Sequence, residues 1–480
     1  MDQSQIDVVV VGSGVTGHAA AVTLATGGAR VVIFEKQAEI SGTSKNFLGI
    51  FAAESDMQRQ KFITYSRDEA FTNIMEYSHW LANPRLVRVV VDESAKTVRW
   101  LKNEIGVVFT DVVTNIPDAP QTYHLVQNSG ADVVRALNEK AIQLGVIIKT
   151  SSPVTRIIKS NKEAYQVTVE EKGTEKKYES KVVIIASGGY ANNREWLRKY
   201  SGLELDKNLF AIGNEGKMGD GIRMAHELGA AEEGIGVLEV LRTGRNTPET
   251  MNQVAFSVVQ PYLWVNSRGE RFCNECVAFE DTSMGNAHVK QKDGISYSLF
   301  DMNTIRRLME RGIDKAMTMD FPPGTPLDIL DKEIDEEART RPEDVFKAES
   351  IEELAKQINI DPETLQNTVN EYNSFAKQGH DELFSKNPKY LFPLTEGPYY
   401  AVRAQTVFLG TMGGIKINHR TEVLDNDDNR IPGLYAGGFD AGGMYGDSYG
   451  IRYSTGLASG FAVNSGRLAG KNALKYLSLL

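Results

Sequence analysis

The chain has 480 residues with a formal net charge of −10 at pH 7, and 41% of its residues are hydrophobic. That length exceeds one hydrophobic core, so two or more domains are expected. The acidic balance and the lack of lysine or arginine runs argue against a nucleic-acid or anionic-membrane partner, and no apolar run approaches the ~20 residues of a membrane helix. The N-terminal MDQSQIDVVVVG runs into a strand with no basic leader before it, so the expected location is cytoplasmic.

Ile6 to Val11 is an apolar β-branched run, the pattern of a buried parallel strand. Gly12, Gly14 and Gly17 follow as G-x-G-x-x-G. Gly12 permits a tight turn, Gly14 lets backbone approach a pyrophosphate, and Gly17 lets the next helix pack closely on the strand. That helix, predicted over His18 to Thr26, aims its positive dipole end at the phosphates. A second strand, ARVVIFE, ends in Glu35, placed to accept hydrogen bonds from an adenosine ribose. The fingerprint suits NAD and FAD equally. The loop Ser41, Gly42, Thr43 and Ser44 favours FAD, because it can hold the far side of a long extended dinucleotide.

After Asp56 the sequence reads as helix to about Ile105, then as a strand at IGVVF. A helix and two strands follow from Gly130, then a hairpin and a buried strand ending in Ala186-Ser187-Gly188-Gly189. Ligands collect at such carboxyl ends of strands. Asp220, in GKMGDG, either caps a helix or meets the cofactor. From about Glu232 to Thr395 a hairpin and polar helices replace the α/β pattern, which is expected to return after EGPYYAV. The expected class is therefore α/β: a Rossmann-like FAD-binding domain in two parts, 1–235 and 396–480, with an α+β capping domain, 236–395, inserted between them. Cys273 and Cys276 have Cys-x-x-Cys spacing, but two thiols do not complete a zinc site, and a reduced structural pair is expected. No metal site is expected.

The fingerprint, SGTS, ASGGYANN, MGDG, VNSRGERFCNE, GPYYAV, TMGGI, PGLYAGG and SGRLAG occur in one order along nearly the whole chain. Together they resemble the FAD-dependent fumarate reductase and 3-ketosteroid dehydrogenase superfamily. The resemblance implies non-covalent FAD and a cap that holds a substrate carbon–carbon bond against the flavin. It implies that Val154 lies near the adenine, with Thr43, Ser44, Gly49 and Ile50 along the phosphates and flavin. Thr16, Lys36, Gly438, Asp440, Gly456 and Leu457 are placed at the cofactor with them. Fumarate reductases carry an arginine proton donor after Asn-Glu, where this chain has Cys276 to Phe279. They carry a histidine before Thr-Met-Gly-Gly, where this chain has Leu409 and Gly410. A second substrate histidine, expected around Gly236, also has no counterpart. These departures disfavour fumarate or succinate as substrate, and the resemblance then implies another proton donor, such as the tyrosine of the ketosteroid enzymes.

The candidate donors are Tyr449 and Tyr453, with Tyr262 and Tyr445 behind them, and Arg452 is the candidate carbonyl or carboxylate anchor. The bland alternative is packing for the tyrosines and a structural pair with Asp440 or Asp447 for Arg452. A helix beginning near Gly456 is expected to aim unpaired amides at the flavin. The leading functional reading is an ene-reductase that moves hydride between flavin N5 and a carbon–carbon bond next to a carbonyl, with a separate electron donor or acceptor. A desaturating dehydrogenase and a non-catalytic flavin-binding regulator are the alternatives.

Overall fold

Val8–Val11 lies at the centre of a sheet because all four of its valines are shielded on both faces. The strand order is Glu422–Leu424, Arg430–Ala436, Val182–Ile185, Val8–Val11, Val31–Phe34 and Ile147–Lys149. Every pairing is parallel except that of the first two strands. The computed structural model describes residues 6–40, 42–114, 116–160, 164–213, 216–244, 252–316 and 321–480. Helices Val15–Thr26 and Leu457–Leu477 pack tightly on each other through glycine. A Cβ on Gly466 would stand 2.2 Å from the Thr16 carbonyl oxygen, and one on Gly470 would stand 2.8 Å from Thr23 Cβ. The first helix begins at Val15, earlier than the sequence reading, with Gly14 as its N-cap.

The stretch read as continuous helix after Asp56 is three helices, Asp56–Gln60, Arg67–Tyr77 and Pro84–Trp100, followed by a π turn at Leu101–Ile105. Capping explains the breaks. Ser55 and Ser66 each close a capping box, and the Asn83 side chain accepts the Arg85 and Leu86 amides ahead of Pro84.

A second sheet is built around the long strand Tyr399–Thr411. It pairs with Phe210–Ala211, Leu238–Thr243, Ile295–Phe300 and Val345–Ala348, and Leu263–Asn266 joins beyond Ile295–Phe300. Helices Met302–Arg311, Leu330–Thr340, Ile351–Gln357 and Pro362–Gln378 belong to the same region. This sheet recruits residues on both sides of the 236–395 span. The strand after EGPYYAV completes the second sheet, and the chain re-enters the nucleotide sheet only at Glu422. Both cysteines are free, and burial pushes the Cys273 thiol up to about 12, which disfavours its thiolate at neutral pH. Among the described residues no helix is long and apolar enough to cross a membrane.

Candidate functional site

A cavity of about 430 Å³ runs from the glycine turn to the second sheet. Its wall brings together Gly12, Gly14, Thr16, Glu35, Lys36, Gly42, Thr43, Ser44, Val154, Ala186, Gly188, Asp220 and Gly456. Ser41 lies outside the described residues.

The glycines are required sterically. Gly12 has φ +104°, and a Cβ there would meet the Ala186 carbonyl oxygen at 2.3 Å. A Cβ on Gly17 would lie 2.0 Å from the Gly12 carbonyl oxygen, so that glycine serves helix–strand packing and is not on the wall. Glu35 is fixed in place. One carboxylate oxygen accepts the Ser13 amide (2.9 Å) and hydroxyl (2.7 Å), and the other accepts the Gln37 amide (2.9 Å). Lys36 reaches Asp220 at 2.6 Å. The Ser44 hydroxyl oxygen accepts the Val15 amide at 3.0 Å, tying the small polar loop to the first helix.

Lys217 was missed by sequence reasoning, although GKMGDG pointed near it. Its ammonium nitrogen stands 3.0 Å from where a Cβ on Gly42 would be and 2.4 Å from one on Gly188. Among the described residues its ammonium has no hydrogen-bond or ion-pair partner. Burial lowers its pKa, and the charges of Asp440 and Glu35 oppose that shift. An unpartnered cation facing a glycine-lined lane at a helix N-terminus fits the pyrophosphate of a dinucleotide.

Several predicted cofactor residues lie behind the wall, not on it. Asp440 is fully buried, and its carboxylate accepts the Gly188 and Gly189 amides at 2.9 Å each and the Ser187 hydroxyl at 3.0 Å. It braces the turn that forms the wall. Gly438 donates its amide to the Ser465 hydroxyl (2.9 Å) and is pressed against Thr16, where a Cβ would meet Oγ1 at 2.6 Å. Gly49 accepts the Ser459 hydroxyl at 2.6 Å, and Ile50 and Leu457 are core residues. Each of these positions is engaged within the fold.

The far end of the cavity is lined by Tyr123, Glu239, Phe279, Asp281, Lys315, Leu409, Phe439, Tyr449 and Ile451. Tyr449 is the one predicted catalytic residue on the wall. Burial pushes its pKa well above the usual tyrosine value, and its hydroxyl oxygen accepts the Ala458 amide at 3.2 Å. The expected unpaired amides at the start of the C-terminal helix are thus partly consumed, since Leu457 also donates to the Ser454 carbonyl at 2.9 Å. Arg452 and Tyr453 do not line the cavity. The Arg452 guanidinium sits 5.8 Å from the Tyr453 ring centre and acts on Glu280, and the Tyr453 carbonyl accepts the Tyr65 hydroxyl at 3.0 Å. Tyr445 packs edge-on against Tyr449 at 5.4 Å. Tyr262 donates to Asp314 at 2.9 Å, away from the cavity.

Glu239, also missed, sits where two strands lose register. Leu238 pairs with Thr411 and Val240 with Phe408, so Glu239 alone faces both Leu409 and Gly410. Such a bulge re-aims side chains. Its only sequence signal was a lone acid in the strand LEVLRT. Lys315 and Asp281 pair at 2.8 Å on the same wall. The Lys315 side chain is mostly buried and that of Asp281 only partly so.

The family model described as "FAD binding domain" matches residues 7–450. The chain is 32% identical to the vinyl phenol reductase of Lactiplantibacillus plantarum, over 98% of this chain and 96% of that protein. It is 30% identical to a fumarate reductase (cytochrome) of Shewanella frigidimarina, over 98% of this chain and 77% of that protein. The solved structure of a 3-ketosteroid-Δ4-(5α)-dehydrogenase from Rhodococcus jostii RHA1 shares the fold, with a TM-score of 0.75 at 22% identity, covering 98% of this chain and 96% of that one.

Proposed function

The chain belongs to the FAD binding domain family and is an FAD-dependent oxidoreductase acting on carbon–carbon bonds, and on that premise we propose that it reduces an activated C=C bond in an uncharged, ring-sized substrate. The activating group is a carbonyl or a hydroxylated aromatic ring, as the name of the vinyl phenol reductase suggests. The observation that carries this reading is the cavity wall. Among the described residues it contains no arginine and no histidine, while Phe279, Leu409, Phe439 and Ile451 give its far end an apolar surface beside Glu239 and the Lys315–Asp281 pair. Of its cations, Lys36 is paired with Asp220, Lys315 is paired with Asp281, and Lys217 faces the glycine turn. A dicarboxylate would bury its charges there without partners, which is costly.

Gly12, Gly14, Glu35, Ser44, Gly188 and Lys217 would hold the FAD pyrophosphate and ribose, and Gly456 would lie against its ring system. Bound FAD supplies reversible hydride chemistry at carbon–carbon bonds. The chain's own tasks are to exclude water, seat the substrate ring on Phe279, Leu409 and Phe439, and place a proton on the second carbon. Reducing equivalents come from a separate donor.

The test is to photoreduce the purified flavoprotein without oxygen and add 4-vinylphenol, an enone or fumarate. Rapid return of oxidised-flavin absorbance with the vinylphenol or the enone, and not with fumarate, is expected. Faster return with fumarate overturns the reading.

A further inference from the structure

The expected tyrosine donor is poorly suited to its task. Burial drives the pKa of Tyr449 and Tyr445 upward, and the nearby Glu239 carboxyl drives them further. The Tyr449 hydroxyl oxygen is also occupied by a helix amide. Glu239 differs in its setting. It shares the cavity wall with Tyr449, at the register break opposite Leu409 and Gly410, and its half-buried side chain is open to the cavity. Among the described residues its carboxyl has no hydrogen-bond or ion-pair partner. The groups around it are Asp281, which opens the helix Asp281–Val289 and is held by Lys315, together with Tyr123, Tyr445 and Tyr449.

We propose that Glu239 is the proton donor of the reaction, delivering its carboxyl proton to the alkene carbon that does not receive the hydride. The inference rests on the ene-reductase reading above. The step balances. One alkene carbon gains a hydride with both its electrons from the reduced cofactor, the π pair forms the second C–H bond with the Glu239 proton, and the C=C bond becomes single. The cofactor is left oxidised by two electrons, and the Glu239 carboxylate regains its proton from water.

Glu239 is held in its neutral form at pH 7, because burial, and then the Asp281 charge, push its pKa from 4.5 to about 8. An acid in that range is matched to neutral operation, whereas a buried tyrosine is not.

The experiment compares wild type, E239Q and E239D as holoenzymes. Each is photoreduced without oxygen and mixed with 4-vinylphenol or an enone in a stopped-flow instrument across pH 6–9. The infrared carbonyl-stretch band of protonated carboxyl groups is titrated in parallel. A wild-type rate that falls as pH rises through about 8 is expected. E239Q should lose ~10²- to 10⁴-fold in rate with its flavin absorbance intact, and E239D should recover part of that loss. A carboxyl band titrating in the same range should be missing from E239Q. If wild type and E239Q reoxidise at the same rate with the same pH profile, Glu239 is not the donor while the ene-reductase reading stands. If no alkene reoxidises the wild type, the reading falls and the donor role falls with it. If no band disappears in E239Q, the neutral carboxyl is disproved directly.

Discussion

Asp440 and Gly188 are joined by a hydrogen bond of 2.9 Å, from the Gly188 amide to a carboxylate that solvent does not reach. The same carboxylate also holds Gly189 and Ser187, so one side chain fixes the whole turn after Val182–Ile185. Asp440→Ala leaves buried amides without an acceptor and should cost about 3 kcal/mol of stability. Urea denaturation of the apoprotein measures it, and an unchanged midpoint would show that the brace is dispensable.

Gly12→Ala forces a Cβ to within 2.3 Å of the Ala186 carbonyl oxygen at a residue with φ +104°. The turn must open, and the variant should purify without flavin colour while keeping most of its helix signal. Retention of stoichiometric flavin would contradict the role given to this turn.

Lys217→Met removes the cation that faces the glycine lane. FAD should bind ~10-fold or more weakly, because a charge-assisted contact contributes about 1.5–3 kcal/mol. Fluorescence titration of apoprotein with FAD reads the change. The salt dependence of binding should flatten in the variant as well.

Arg452→Ala and Tyr453→Phe should each keep turnover within ~3-fold of wild type, since half-buried side chains off the wall contribute little to the reaction. Tyr449→Phe should cost about 1 kcal/mol of stability through the lost contact to the Ala458 amide, with turnover reduced only modestly. A large loss of turnover in any of the three, measured by flavin reoxidation, would return the proton donor to this loop.

The apoprotein should lose stability as pH rises from 5 to 8. Burial raises Glu239 from 4.5 to about 8 and Glu280 from 4.5 to about 7. The folded state therefore keeps protons that the unfolded chain has released. Their contribution is complete below pH 4.5 and disappears as pH climbs through the folded-state values. Urea midpoints for wild type and for an E239Q/E280Q double variant test this, and equal pH slopes would refute it.

The fingerprint was legible because its residues answer to sterics that no context relaxes. Gly12 and Gly17 are each pinned by a carbonyl oxygen within 2.3 Å of their missing Cβ. Glu35 was legible because the second strand must end beside that turn. Glu239 was not, since an acid alternating with apolar residues in LEVLRT reads as the solvent face of a strand. Only the bulge opposite Leu409 and Gly410 turns that face into a cavity wall. Arg452 and Tyr453 share the loop with wall residues but do not line the cavity. The loop before Gly456 presents Tyr449, Ile451 and Thr455 to the cavity and turns the residues between Ile451 and Ser454 toward Glu280 and Tyr65.

The seam between the first and last helices has a consequence for biogenesis. Ser459 reaches the Gly49 carbonyl across 410 residues of sequence, and Gly466 rests on Thr16. The glycine turn therefore leaves the ribosome long before the helix that backs it. During synthesis a growing chain presents half a nucleotide cradle with bare apolar walls. The ring end of the cradle, at Gly456, is the last part to be made, and interrupted translation products should be substrates for chaperones and proteases.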